Sequence, residues 1–330
     1  MKPEVLALFE CPKCRSGPLA VNQPASGSRS DELTDDALCC ARCGGHFPIR
    51  TGVPRFVPAD NYAASFGMQW NRHRRTQLDS HTGLPITRDR LRATTRWPDD
   101  LRGQRVLEAG SGAGRFTEVL VATGAEIYSF DYSSAVDANL QNNCHAPNLH
   151  LFQADIFNIP LCKQAFDKVL CLGVLQHTPD PEAAFGSLAS HVAPGGELVV
   201  DLYAKRLTAL VSWKYLLRPI TRRMDKQMLH ALVERGVDLL LPLAARLRRL
   251  AGRAAVRLLP IAEYSNLGLS PELNRQWAIL DTFDMYSPAH DHPQTARTLR
   301  RWCEDAGLVD VEVEPGANGI VGRGRRPVSA

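Results

Sequence analysis

The sequence predicts an α/β fold built on a doubly wound, mostly parallel sheet, and three observations predict it. The apolar run Val106-Leu107-Glu108-Ala109 opens into the alternating turn Gly110-Ser111-Gly112-Ala113-Gly114 and then into a helix-like pattern. A second apolar run, Ala125 to Phe130, ends in Asp131, twenty-one residues beyond Gly110. Strand-like and helix-like segments then alternate to residue 203, the pattern of parallel strands joined by right-handed crossovers.

Taken in order, the first strand is expected over about 104–109 and its helix from Gly114 to Thr123. Further strands follow at 125–130, 149–153 and 166–172, and the turn Pro194-Gly195-Gly196 leads into one at 197–203. After a long gap come a helix at 296–306 and strands at 309–313 and 319–322. Ligands of such sheets sit at the carboxyl ends of the strands. Glycines there let a nucleotide-like ligand approach bare backbone and permit the tight strand-to-helix turn. Asp131, at the tip of the second strand, is placed to accept from ribose hydroxyls. A helix N-cap is the alternative for it, with Ser133 and Ser134 close behind.

Glu108 stands two before the first glycine, Asp155 lies in Gln153-Ala154-Asp155-Ile156, and the loop Gly173-Val174-Leu175-Gln176-His177 follows the fourth strand. With these landmarks, residues 104–203 resemble the core of class I S-adenosylmethionine (SAM) dependent methyltransferases. They are most like the bacterial small-molecule group that includes quinone-biosynthesis enzymes. A dehydrogenase fingerprint would read GxGxxG instead. The resemblance implies a Rossmann-like seven-stranded sheet ending in an antiparallel hairpin, with SAM as co-substrate. It places Glu108 on the methionine amino group, directly or through water, and Gly110, Ser111, Gly112 and Gly114 in the turn beneath the ligand. Asp131 and Tyr132 would serve the ribose, Asp155 and Ile156 the adenine, and Leu172 and Gly173 the region nearest the sulfonium.

Methyl transfer from a sulfonium is a direct displacement, so positioning is the main catalytic demand. A hydroxyl acceptor also benefits from a base near neutral pKa, and His177, just past the fourth strand, is the candidate, with a structural hydrogen bond as its alternative. The cluster Asp281 to Pro293 packs carboxylates, a phenol and two imidazoles into thirteen residues. It reads as a ligand-side loop in which Asp284, Tyr286 and His290 bind or activate substrate. A metal on His290, Asp291 and His292 would need a fourth ligand, and helix capping by Asp291 and His292 ahead of Pro293 is the plainer reading.

Nine cysteines are present, five of them in the first 43 residues. Cys11-Pro12-Lys13-Cys14 and Cys40-Ala41-Arg42-Cys43 form two CxxC knuckles, the signature of a structural zinc site. The 25 residues between them exceed the common spacing, and the polar stretch 24–36 can loop out at small entropic cost. Cys39 is a spare thiol, and buried cysteines without metal are the alternative reading. Residues 1–58 resemble the small zinc ribbon known as an activator or fused appendage of tRNA and protein methyltransferases. The arm 59–100 carries Ser65-Phe66-Gly67-Met68-Gln69-Trp70. Similar FGxQW segments precede the core in related methyltransferases, which implies a SAM-proximal strap using Phe66, Gln69 and Trp70. Packing of Phe66 and Trp70 at i, i+4 is the alternative.

The chain divides on this reading into the ribbon at 1–58, the arm at 59–100, the SAM-binding core at 101–203 and 293–325, and a helical insertion at 204–292. From Lys205 to Arg257 the insertion holds thirteen cations against three acids, +10 in a chain of net charge +4. Leucines recur between the cations, as in amphipathic helices forming a basic lid. That charge suits an anionic small-molecule or glycan-like acceptor, a peripheral membrane contact, or a solvated cap or dimer face. Nucleic acid is disfavoured because stacking aromatics are few. No apolar run approaches the roughly 18 residues of a membrane span, and the start is too acidic for a secretory signal, so a cytoplasmic enzyme of unknown oligomeric state is expected. The function expected is O-methylation of a small-molecule or glycan-like acceptor. The alternatives are an RNA methyltransferase, SAM chemistry releasing methylthioadenosine, and a non-catalytic SAM-binding partner.

Overall fold

A computed structural model describes residues 3–22, 37–58, 61–205, 212–256 and 258–328. The polar stretch expected to loop out at 24–36, and Arg206 and Arg257 of the basic run, lie outside the described residues. At the N-terminus, β1 (Ala20–Asn22), β2 (Ala37–Cys39), β3 (His46–Arg50) and β4 (Val53–Pro54) form a small antiparallel sheet in chain order. In β3 the alternation points Phe47 and Ile49 inward. The arm is helical, with α1 (Ala64–Arg72), α2 (Asp79–Thr82) and α3 (Ile86–Thr95).

The core then runs β5 (Arg105–Ala109), α4 (Arg115–Val121), β6 (Glu126–Asp131), α5 (Ala135–Asn143), β7 (Leu149–Gln153), β8 (Phe166–Leu172), α6 (Pro181–Ala189) and β9 (Val192–Leu202). Three cap helices follow, α7 (Trp213–Thr221), α8 (Lys226–Val256, non-helical at Gly252) and α9 (Pro271–Tyr286). The chain closes with α10 (Ala296–Asp305), β10 (Val309–Gly316) and β11 (Gly319–Arg325). Side chains set the helix starts: Asp180 caps α6 ahead of Pro181, Ser270 caps α9 ahead of Pro271, and Thr295 caps α10. Asp291 and His292 therefore do not cap the last helix.

The seven-stranded sheet has the order β10-β11-β9-β8-β5-β6-β7, parallel from β9 to β7 and closed by the antiparallel β10–β11 pair. Val106 to Ala109 of β5 are buried throughout, as expected of a parallel strand covered on both faces. β9 begins five residues before the expected start, because the Pro-Gly-Gly unit is not a turn ahead of the strand. It is an irregularity within it, where the pairing jumps from Phe166–Val192 to Lys168–Glu197. A Cβ on Gly196 would lie 2.9 Å from the carbonyls of Phe166 and Asp167, so only glycine fits that register shift.

One apolar cluster joins the N-terminal sheet to the core. Phe9 packs edge-on against Phe152 at 5.3 Å and stacks on Phe56 at 5.7 Å. The cap helices have a cluster of their own around Val233, Val237, Ile279 and Phe283, with Met68 of α1 packed against it. Asp281 to Tyr286, expected in a loop, form the last turns of α9. No helix among the described residues is long and apolar enough to cross a membrane.

Candidate functional site

A cavity of about 310 Å³ opens at the carboxyl ends of β5, β6 and β8, beside the point where the strand order reverses. The structure brings together there Gly110, Ser111 and Gly112 of the turn, Asp131 and Tyr132 after β6, and Ile156, Leu172, Gly173 and His177. Phe66, Gln69 and Trp70 of α1 and Asp284 of α9 complete the sequence-derived set. Gly110, Gly112 and Gly114 all have positive φ, +74°, +53° and +83°. Gly114 faces away from the cavity, onto Asn139 and Asn143, where a Cβ would lie 2.1 Å from Asn139 Oδ1.

Asp131 clamps this turn. Its Oδ2 accepts the Gly112 N–H at 2.9 Å, and its Oδ1 accepts the Ser133 N–H at 2.8 Å and the Ser133 hydroxyl at 2.7 Å. Of about four acceptor positions on a carboxylate, one remains for a donor in the cavity. The capping alternative fails, since Ser134 is the N-cap residue of α5. Burial raises the Asp131 pKa.

Two acids stand differently from expectation. Glu108 is 2% exposed behind the turn and does not line the cavity. Its Oε2 accepts from Thr117 Oγ1 at 2.6 Å and Ser129 Oγ at 2.7 Å, its Oε1 has no partner, and burial pushes its pKa up to about 7. Asp155 also lies off the cavity wall. Its Oδ1 accepts the Phe157 N–H at 3.0 Å and caps the short 3-10 helix Ile156–Asn158, leaving Ile156 alone on the wall.

His177 follows β8 on a 3-10 turn, and its ring lies 5.2 Å from that of Phe66 and 5.4 Å, perpendicular, from that of Tyr203. Nδ1 is 3.1 Å from the His290 carbonyl. A carbonyl only accepts, so Nδ1 carries the hydrogen, and in the neutral ring Nε2 keeps its lone pair. Nε2 is buried and has no partner, and burial lowers the His177 pKa. Beside it, Asp284 accepts from the Tyr203 hydroxyl at 3.0 Å.

Tyr286 and His290 are not brought to the cavity. The Tyr286 hydroxyl donates to the Pro260 carbonyl at 2.8 Å inside the cap cluster. The His290 ring packs on Tyr62 at 5.4 Å and His292 at 5.8 Å, so His290 contributes its carbonyl rather than its imidazole. Asp291 pairs with Lys214 at 2.8 Å. Among the described residues the cluster suited to a metal is instead Cys11, Cys14, Cys40 and Cys43, with all four Sγ within 4.8 Å. Cys11–Cys43 and Cys14–Cys40 are 3.6 and 3.5 Å apart. A tetrahedral ion with Zn–S bonds near 2.3 Å needs edges of about 3.8 Å. Both knuckles turn alike: Arg15 donates to the Cys11 carbonyl and Gly44 to the Cys40 carbonyl, each from positive φ. The backbone N–H of Cys43, first among its hydrogen bonds, draws the Cys40 thiol down to about 6. Cys39 sits apart, 3.2 Å from His46 Nδ1.

Sequence reasoning missed one wall of the cavity, formed by Gln77, Arg90, Arg115, Tyr264 and Asp281. Arg115 donates to Gln77 Oε1 at 2.5 Å and to Thr87 Oγ1, and burial lowers its pKa to about 9. Gln77 Nε2 donates to Asp281 at 3.2 Å, Tyr264 donates to the same carboxylate, and burial raises Asp281 to about 6. Arg90 is paired with Asp201 at 2.8 Å. Two signals were present: Arg115 follows the third glycine directly, and Asp281 and Asp284 are spaced i, i+3 as on one face of a helix.

A methyltransferase-domain family profile matches residues 71–313, most of the chain. The chain belongs to this family, the class I SAM-dependent methyltransferases. The match begins at Asn71, in the last turn of α1, so the cysteine knuckles and Phe66, Gln69 and Trp70 lie outside it. An uncharacterised protein from Synechococcus is 30% identical over 215 residues, 62% of this chain and 47% of the relative. A ubiquinone biosynthesis O-methyltransferase from Methylococcus capsulatus is 28% identical over 149 residues, 43% of this chain and 61% of the relative. The chain thus spans about half the length of the curated relatives it matches. A solved O-methyltransferase family protein from Burkholderia thailandensis aligns with a TM-score of 0.41 at 13% identity, over 74% of this chain and 57% of that one.

Proposed function

We propose that this protein methylates a hydroxyl of a small-molecule or glycan-like acceptor, with SAM as donor and His177 as the base. The observation that carries the reading is the His177 ring, on a residue that lines the cavity, whose Nδ1 is committed to a backbone carbonyl and whose Nε2 is buried and unpartnered. The cavity suits SAM: Asp131 keeps one acceptor position for a ribose hydroxyl, Ile156 offers an apolar face, Ser111 Oγ and Gln69 Oε1 are buried without partners, and Gly173 leaves open space before Asn318. Bound SAM supplies a methyl group on an activated sulfonium leaving group. His177 Nε2 takes the acceptor's proton as the oxygen forms its bond to the methyl carbon and the carbon–sulfur bond breaks. Asp284, through Tyr203, adds negative charge near the ring and supports the imidazolium that results. Cys11, Cys14, Cys40 and Cys43 of the 1–58 module hold a structural zinc in this reading, and the cap over 204–292 selects the acceptor.

The test is product analysis after incubation with methyl-labelled SAM and a fractionated metabolite extract. S-adenosylhomocysteine together with a labelled, alkali-stable ether is expected. Methylthioadenosine, or label on RNA alone, overturns the reading.

A further inference from the structure

Among the described residues eleven large hydrophobic side chains stand exposed, and nine of them fall between Trp213 and Leu258. On α8, Met228, Leu232, Leu239, Leu243 and Leu250 recur at spacings of four, seven, four and seven, which is one stripe of an α-helix. It runs about 33 Å at 1.5 Å per residue. Arg235 and Arg246 fall on this stripe and Arg249 borders it, all exposed and without an acid within 4 Å among the described residues. The acids of the helix lie off the stripe and are taken up elsewhere, Glu234 and Asp238 pairing with Arg275 of α9 at 3.2 and 2.6 Å. The opposite face, Leu229, Val233, Val237 and Ala244, is buried in the cap cluster. α7 adds Trp213, Leu216 and Ile220 outward, followed by exposed Arg222 and Arg223, while Lys214 and Arg218 turn inward to Asp291 and the Pro288 carbonyl.

A second copy meeting this stripe across a two-fold axis would bring unpaired arginines against arginines. RNA would call for stacking aromatics, and Trp213 is the sole exposed large aromatic among the described residues. An anionic lipid surface satisfies both parts of the pattern: apolar side chains enter the headgroup boundary while guanidiniums meet phosphates. We propose that α7 and the outer stripe of α8 form a peripheral face that docks on a membrane rich in anionic lipid.

The test is co-sedimentation of the full chain with vesicles of phosphatidylcholine mixed with phosphatidylglycerol, against phosphatidylcholine alone. Binding to the mixed vesicles only is expected, falling with added salt. Loss of one arginine near such a surface weakens partitioning roughly fivefold, so Arg235→Gln, Arg246→Gln and Arg249→Gln together should weaken it about a hundredfold. Leu239→Asp with Leu250→Asp should abolish binding although every arginine remains, and both variants should keep the parent melting temperature because the altered positions are exposed. The proposal is overturned if mixed vesicles bind no better than neutral ones, if either variant binds as the parent does, or if light scattering shows a dimer that the Leu→Asp variant splits.

Discussion

Replacing Glu108 by Gln tests whether this acid is a buried post behind the glycine turn. A carboxyl whose pKa rises from the usual 4.5 to about 7 in the fold binds its proton more tightly there than in the unfolded chain. Its stabilising contribution is therefore complete below pH 4.5 and is lost as pH rises through 7. The shift corresponds to about 3 kcal/mol, and about 2 to 3 kcal/mol of it falls between roughly pH 5 and pH 8. In Glu108→Gln the amide oxygen can accept from Thr117 and Ser129 as Oε2 does, and the amide nitrogen takes the place of the unpartnered Oε1. An unmatched buried amide costs about 1 to 3 kcal/mol, but that cost is independent of pH. The assay is urea unfolding of both proteins at the two pH values. Asp281, also raised, and the buried histidines, lowered, titrate in both proteins and cancel in the difference, whereas the repulsion between Asp131 and Glu108 is part of what raises Glu108 and leaves with its charge. The variant should gain about 2 to 3 kcal/mol on the parent between the lower and the higher pH. Parallel stability curves would refute the argument.

Three further outcomes are expected. His177→Gln should lower turnover by about 10² to 10⁴-fold while SAM still binds, and turnover by the parent should rise with pH through a pKa below 6.5 and then level off, since burial lowers the pKa and the neutral ring is the active form; full turnover in the variant, or a parent rate that falls as pH rises through neutrality, speaks against the base. Gly114→Ala should cost stability, about 2 to 5 kcal/mol from overpacking on Asn139 and left-handed strain. Gly173→Ala, whose nearest neighbour is 3.7 Å away but whose φ is +75°, should carry the left-handed strain alone, about 1 to 2 kcal/mol, and in addition lose SAM affinity, as read by calorimetric titration; a Gly114→Ala protein that loses SAM affinity without losing more stability than Gly173→Ala would misplace the ligand. Purified protein should carry one zinc per chain, and chelation or Cys14→Ser should lower its melting temperature; zinc-free protein indifferent to chelator would remove the metal.

The parts of the molecule legible in the sequence are those whose signal is local. The parallel strands stand out as apolar runs bounded by glycine and proline, and the knuckles repeat one turn with one donor type. The arm hides its helices because its buried face is polar, including Ser65 and Gln69, which leaves no apolar period to read. The density of the 281–293 cluster points to a ligand role for Tyr286, but five residues along a helix is about 140° of rotation from Asp281, so the same helix that brings Asp281 and Asp284 to the cavity turns the phenol into the cap. The missed wall depends on contacts between distant segments, Gln77 with Asp281 above all, and no window of sequence contains both. The same holds for the feature that bears most on the chemistry. His177 is visible as a titratable residue after a strand, yet its tautomer is decided by a carbonyl 113 residues away, on a segment singled out for the wrong atom. A side chain's type and rough place are written locally; which of its nitrogens holds the proton is a property of the assembled fold.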